Sequence, residues 1–172
     1  EIIRVYKTPE SKIQVLYPAI RSIQANAPEN TVDPKDQSKY FLCVGTIEPR
    51  KNYKLLIKAF KSIGDNDEEV KLIIVGKMGW KMNEFQHLIE LHPHKDRIII
   101  TGFVSREELW SYYENASAFV FASNYEGFGI PVLEACYHGL PLLLSDVPTS
   151  VEIAETAAIY FNKKSAKDLS EK

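Results

Sequence analysis

Sulfur is scarce in this chain: only two cysteines, Cys43 and Cys136, occur among 172 residues. They lack the spacing of a zinc site or a redox pair. Each sits inside an apolar run and reads as a small buried hydrophobe in a reducing cytosol. The four histidines, His87, His92, His94 and His138, do not join them in a ligand set. His92 and His94 flank Pro93 and read as a solvated loop following a helix. Long hydrophobic runs are missing as well, since none approaches the ~18–20 residues of a membrane span. Nor does one sign of charge dominate. A net charge of -2 and a pI near 6.1 provide no basic field for nucleic acid. Local cationic clusters could still hold a phosphate. The reading that results is a cytoplasmic protein with no nucleic-acid partner.

Several catalytic signatures are also absent. No G-x-G-x-x-G follows a strand, which excludes a dehydrogenase-type dinucleotide fingerprint, and no G-x-x-x-x-G-K-[ST] marks a P-loop NTPase. There is no G-x-S-x-G nucleophile elbow. Asp65-Asn-Asp67 resembles a metal-binding D-x-D, but it follows a helix and precedes a strand, at the wrong end of a sheet for that role.

What is present is a regular alternation. Hydrophobic residues at 45% and charged residues at 26% are ordinary for one soluble domain with a sizeable core. Apolar runs predict strands at Ile13–Leu16, Tyr40–Val44, Lys71–Val75, Arg97–Thr101, Ala118–Phe121, Pro141–Leu144 and Ala158–Phe161. Several are apolar at consecutive positions, as strands buried on both faces of a parallel sheet should be. Asn52–Ile63 places Leu55, Leu56, Ala59, Phe60 and Ile63 on one helical face. Ser105 and Glu108 make a capping box that opens a helix to about Asn115. Pro131 begins another that runs to about Tyr137, with Gly139 as its stop. Strand and helix in turn predict an α/β, doubly wound, mostly parallel sheet. The segment 21–39, with Pro28, Pro34, Asn26 and Asn30, reads as a surface loop of a single domain spanning 1–172. The chain opens at Glu1 and closes in Ser165-Ala-Lys-Asp-Leu-Ser-Glu-Lys172, which reads as a helix just starting. The expectation is a piece of a longer protein.

In such sheets ligands bind beyond the carboxyl ends of the strands, and three turns there stand out. Gly45-Thr-Ile-Glu-Pro-Arg-Lys-Asn52 places Arg50 and Lys51 at a helix start, where cations oppose the helix dipole by about 0.3–1 kcal/mol each. They suit a shared phosphate, though a solvated surface pair is equally compatible. In Glu126-Gly-Phe-Gly-Ile-Pro-Val-Leu-Glu134, Gly127 and Gly129 bracket Phe128 and let a ligand approach the backbone N–H groups. The helix beyond points its positive end at that spot. Glu134 could bond a vicinal diol, or simply supply favourable charge near a helix start. Gly102-Phe-Val-Ser105 offers an apolar slot for a base in Phe103 and Val104, which serve equally well as rim-of-core residues.

Together these turns resemble the C-terminal domain of retaining glycosyltransferases of the GT-B fold, the group 1 or family 4 enzymes, and especially the mannosyltransferase-like members of bacterial surface-polysaccharide synthesis. The resemblance runs from about Ile13 to Phe161. Its most specific part is the E-x7-E signature, Glu126 and Glu134, with Val44-Gly-Thr-Ile-Glu-Pro-Arg-Lys-Asn52 close behind. It implies that Arg50 and Lys51 neutralise the diphosphate of a nucleotide-sugar donor, beside Gly45 and Thr46. The N–H groups of Gly129 and Ile130, with Gly127 and Phe128, would complete the cradle. Glu134 would hold the ribose, Glu126 would sit by the donor sugar, and Phe103 and Val104 would border the base. The resemblance further implies hexose transfer with retention and without a metal or cofactor. The glycan or lipid-linked acceptor would come through an N-terminal domain that this chain lacks, with peripheral membrane association of the full-length protein and no transfer by the fragment alone. Two departures from the family pattern are Thr46, where many relatives carry arginine, and Tyr17-Pro-Ala-Ile20 in place of an Asn-Gly turn. A sugar-nucleotide epimerase of the same fold and a non-catalytic sugar-nucleotide-binding subunit are the alternative readings.

Overall fold

Unbroken apolar runs form the centre of the sheet because those strands are covered on both sides. In the computed structural model, which describes residues 2–20, 39–80 and 83–172, every residue of Ala118–Phe121 is buried, as are four of the five in Lys71–Val75. The elements are α1 (Ile2–Tyr6), β1 (Tyr40–Val44), α2 (Tyr53–Asn66), β2 (Lys71–Val75), α3 (Asn83–Glu90), β3 (Ile98–Gly102) and α4 (Arg106–Asn115), then β4 (Ala118–Phe121), α5 (Ile130–Tyr137), β5 (Leu142–Ser145), α6 (Pro148–Ala154), β6 (Ala158–Phe161) and α7 (Ala166–Ser170).

All six strands are parallel, in the order β3-β2-β1-β4-β5-β6. This is the doubly wound α/β arrangement. From β1 the chain moves outward to β2 and β3, then returns to the other side of β1 for β4. The loops leaving β1 and β4 therefore diverge at their carboxyl ends and open a crevice between them. Successive strand residues feed opposite faces. Cys43, Leu72 and Ile74 pack with Leu56 and Phe60 of α2, Phe85 of α3 and Leu169 of α7. Leu42, Val44, Ile73 and Val75 pack with Trp110 and Tyr113 of α4 and with Val132 and Ala135 of α5. Burying one large side chain such as Phe60 or Phe119 contributes about 1.5–3 kcal/mol, so these two layers carry most of the stability.

The local signals hold where they were strongest. The Ser105 hydroxyl accepts from Glu108 N–H at 3.1 Å while Glu108 accepts from Ser105 N–H at 2.7 Å. Gly139, in the left-handed region, follows the last turn of α5, and its N–H donates to Cys136 O. Ser165 caps α7 by accepting from Asp168 N–H.

Three expectations need correction. Ile13–Leu16 is not a strand: the segment follows a 3-10 turn at Glu10–Lys12 and pairs with no strand among the described residues. Val15 and Leu16 are exposed, because an apolar run becomes a strand only where another strand edge receives it. His92 is buried rather than solvated. Its Nε2 lies 3.1 Å from Ile57 O, its Nδ1 accepts His94 N–H at 3.1 Å, and its ring stacks on Phe60. Cys136 is only half-buried, unlike Cys43. The loop expected over 21–39 lies outside the described residues except for Lys39, which is exposed. Among the described residues no helix is long and apolar enough to cross a membrane.

The two bonds of His92 fix a neutral ring protonated on Nε2. Burial pushes its pKa down, aided by His94 and Arg97 and opposed by the Ile57 carbonyl and Asp65. The folded pKa thus lies below the ~6.5 of an unfolded histidine. The unfolded chain takes up the proton first, so this contribution to stability is complete above about pH 6.5 and is lost as pH falls below it. Urea unfolding should show wild-type stability falling more steeply from pH 7 to pH 5 than that of His92→Gln, which retains a donor and an acceptor but cannot titrate. Parallel profiles would remove His92 from the account.

Candidate functional site

The loop after β1 is built against the loop after β2. Gly45 N–H donates to Val75 O, Ile47 N–H to Lys77 O and Gly79 N–H to Ile47 O, each at 2.9 Å. A β-carbon at Gly76 would lie 2.1 Å from the Gly45 carbonyl oxygen, so only glycine permits the approach. The chain then makes a 3-10 turn over Pro49–Lys51 and passes through Asn52 in the left-handed region into α2. Arg50 O accepts Asn124 N–H at 2.8 Å, which ties this turn to the loop after β4. Arg50 and Lys51 are thereby carried to the crevice.

There they meet Glu126, itself only 8% exposed. Lys51 Nζ lies 2.8 Å from Glu126 Oε1, and Arg50 Nη1 lies 2.5 Å from Oε2. The Ser123 hydroxyl donates to Oε1 at 2.7 Å, so both carboxylate oxygens are engaged. Ser145, at the end of β5, donates to Ser123 O at 2.7 Å and braces the loop from beneath. Arg50 also reaches Tyr125 O and Glu48, while Lys51 Nζ sits 4.8 Å from the centre of the Phe121 ring. Burial alone would raise the Glu126 pKa, but Lys51, Ser123 and Arg50 outweigh it and hold the carboxyl below its ordinary value. The group is charged at neutral pH. Arg50 and Lys51 are balanced here by Glu48 and Glu126.

Beyond Glu126 the chain turns through exposed Gly127 and half-buried Phe128 to Gly129, whose φ of +114° excludes most side chains. The N–H groups of Gly129 and Ile130 make no hydrogen bond to the described residues, as expected at a helix start. Glu134 lies on the fifth residue of α5 and is half-buried. Burial raises its pKa, against Tyr113, whose hydroxyl donates to Oε2 at 2.9 Å, and against Arg106. A separate pocket of about 300 Å³ opens over the ends of β1, β2 and β3. Gly45, Thr46, Gly76, Phe103 and Val104 are among its lining residues, and Phe103 is 87% exposed at its rim.

The structure thus gathers Arg50, Lys51 and Glu126 into one contact cluster, puts Gly45, Thr46, Phe103 and Val104 around one pocket, and places the glycine turn directly after the cluster. Glu134 contacts Tyr113 rather than the cations. Sequence reading did not pick out Ser123 or Tyr113. Ser123 stands two residues past a buried strand, the position that supplies ligand-facing loops, and was detectable in principle. Tyr113 carries no sequence signal. Asp65 and Asp67 lie at the amino ends of the strands, where Asp65 pairs with His94 at 2.6 Å. Among the described residues, no three His, Cys, Asp or Glu side chains gather as a metal-ion site.

The doubly wound sheet thus carries Arg50 and Lys51, paired with Glu48 and Glu126, at its strand switch point, where open α/β sheets bind their ligands. The family profile described as Glycosyl transferases group 1 matches residues 27–172, and the chain belongs to that family. It is 35% identical over 130 residues to the serotype-specific mannosyltransferase WbdA of Escherichia coli, covering 75% of this chain and 16% of that protein. It is 32% identical over 161 residues to the O-antigen chain mannosyltransferase RfbU of Salmonella typhimurium, covering 94% and 43%. The chain therefore spans less than half the length of either relative. In fold it is similar to WaaG, a glycosyltransferase involved in lipopolysaccharide biosynthesis, with a TM-score of 0.79 at 23% identity over 98% of this chain and 48% of that one. It also resembles the C-terminal domain of the group 1 protein LpcC from Francisella tularensis, with a TM-score of 0.71 at 21% identity, over 86% and 80%. The sheet is thus that of GT-B glycosyltransferases.

Removing one partner of a buried ion pair leaves the other charge uncompensated, at a cost of about 3–5 kcal/mol. Glu126→Ala strands Lys51, which is 9% exposed, and should destabilise the protein by about that amount in urea unfolding at pH 7. A change under about 1 kcal/mol would mean that the pair is solvated.

Proposed function

We propose that this chain is the donor-binding half of a retaining, metal-independent glycosyltransferase that moves a hexose from a nucleotide-diphosphate sugar to a glycan or lipid-linked acceptor in surface-polysaccharide synthesis. The observation that carries the reading is the convergence of Arg50 and Lys51 with the glycine turn at the start of α5, at the switch point of the sheet. The relatives named as a serotype-specific mannosyltransferase and an O-antigen chain mannosyltransferase support it.

In this reading the diphosphate lies against Arg50, Lys51 and the N–H groups of Gly129 and Ile130. The bond from the sugar anomeric carbon to the diphosphate oxygen breaks while the acceptor hydroxyl oxygen bonds that carbon from the same face. The hydroxyl proton passes to the departing phosphate oxygen. Negative charge accumulates on the leaving diphosphate, and cations held in place beforehand stabilise it without reorganisation. Glu126 keeps both cations in register from beneath. Lys51 and Ser123 occupy Oε1 and Arg50 one side of Oε2, which leaves a lone pair of Oε2 for a donor sugar hydroxyl. Glu134 receives the ribose hydroxyls, and the pocket bordered by Phe103 and Val104 takes the base. An N-terminal domain supplies the acceptor and closes the cleft against water, so the 172-residue chain alone binds nucleotide without transferring sugar.

Calorimetric titration of UDP, GDP and ADP against the chain tests the reading. The double variant Arg50→Ala, Lys51→Ala should weaken the best-bound nucleotide by about 10- to 100-fold, the loss expected for charge-assisted contacts. Unchanged affinity would remove the diphosphate from this turn, and acceptor-dependent transfer by the isolated chain would contradict its role as half a site.

A further inference from the structure

We infer that Tyr113 is a positioning residue for donor recognition, its hydroxyl holding the Glu134 carboxylate in the orientation that receives the two ribose hydroxyls. The inference rests on the proposed role of Glu134. Tyr113 belongs to α4 and is fully buried. Its ring is stacked on His138 at 5.4 Å and 5°, meets Trp110 edge-on at 6.1 Å and 89°, and lies 5.8 Å from Phe119. A ring fixed on three sides leaves its hydroxyl one place to be, and that place is 2.9 Å from Glu134 Oε2.

The bland account is that a buried tyrosine hydroxyl needs an acceptor and takes the nearest one. Satisfying the hydroxyl does not by itself require the carboxylate, because Pro131 O lies 3.3 Å from the same hydroxyl and can accept instead. A phenol has one proton to give, and the fold could spend it on that carbonyl alone. Instead the shorter bond goes to a half-buried carboxylate on a different helix. Such a carboxylate, left free, would sample several rotamers. With Oε2 anchored, Oε1 and the remaining lone pair of Oε2 stay available to accept from a vicinal diol. Burial pushes the Glu134 carboxyl up, and Tyr113 and Arg106 pull it back toward the charged form that accepts both bonds.

A positioning role predicts a selective defect. Affinities for the best-bound nucleoside diphosphate, its 2′,3′-dideoxy form and inorganic pyrophosphate would be compared in wild type, Tyr113→Phe, Glu134→Gln and Glu134→Asp. Wild type should prefer the ribose form by about tenfold or more. Tyr113→Phe should lose most of that preference with pyrophosphate binding unchanged. Glu134→Asp, which keeps the charge but draws it away from Tyr113, should lose it too, and it keeps the test open if Tyr113→Phe does not fold. Full preference in Tyr113→Phe or in Glu134→Asp overturns the inference. No ribose preference in wild type, or full preference in Glu134→Gln, overturns the reading of Glu134 and the inference with it.

Discussion

Glu126 lies between Arg50 and Lys51 at 8% exposure, so that it and Lys51 are charges where water reaches poorly while Arg50 closes the pair from the exposed side. Much of the crevice follows from keeping them together. Ser123 donates the third bond to the carboxylate, Ser145 braces Ser123, and Asn124 N–H ties the β4 loop to Arg50 O. The loop after β1 reaches its place only because Gly76 lets it pass close to the loop after β2. Desolvating Glu126 and Lys51 is costly, and replacement of such a pair by apolar side chains is neutral or stabilising in many proteins. An arrangement kept against that cost is better explained by what the cations do than by what they contribute to folding.

In the proposed function, three parts of a nucleotide-sugar ligand fall on three separate features along the carboxyl edge of the sheet. In that reading the cations and the glycine turn would serve the diphosphate, the pocket over β1, β2 and β3 the base, and Glu134 the ribose. Each is set by a different group of elements: the loops after β1 and β4, the ends of β1, β2 and β3, and α4 with α5. Substitutions should therefore separate phosphate, base and ribose recognition.

Much of the fold was legible because its signals are local. Lys71–Val75 and Ala118–Phe121 announce burial on both faces by their unbroken apolar runs, and the Ser105–Glu108 capping box is complete within four residues. Ile13–Leu16 misled because an apolar run says nothing about whether another strand will receive it. The short helix α6, with Val151 exposed and Ser150 and Ala154 buried, has too little apolar face to be read from sequence. In the site, Arg50 and Lys51 were visible as cations at an unfavourable helix start, and Glu126 as part of a spacing. Their direct contact was not visible, because Arg50 and Glu126 are 76 positions apart and meet only through the order of the strands. The same holds for Tyr113 and Glu134, which meet only when α4 and α5 pack side by side.

In the proposed function Glu126 is the internal counter-ion of the diphosphate site, positioning Arg50 and Lys51 while competing with phosphate for their charge. Glu126→Gln keeps the shape and removes the charge, so the most direct measurement is calorimetric titration of inorganic pyrophosphate into this variant and the wild-type chain at pH 7 and constant salt. Tighter binding by the variant, by several-fold or more, is the predicted result. Equal or weaker binding with the fold intact would contradict the account, because the two cations would then not be held for phosphate.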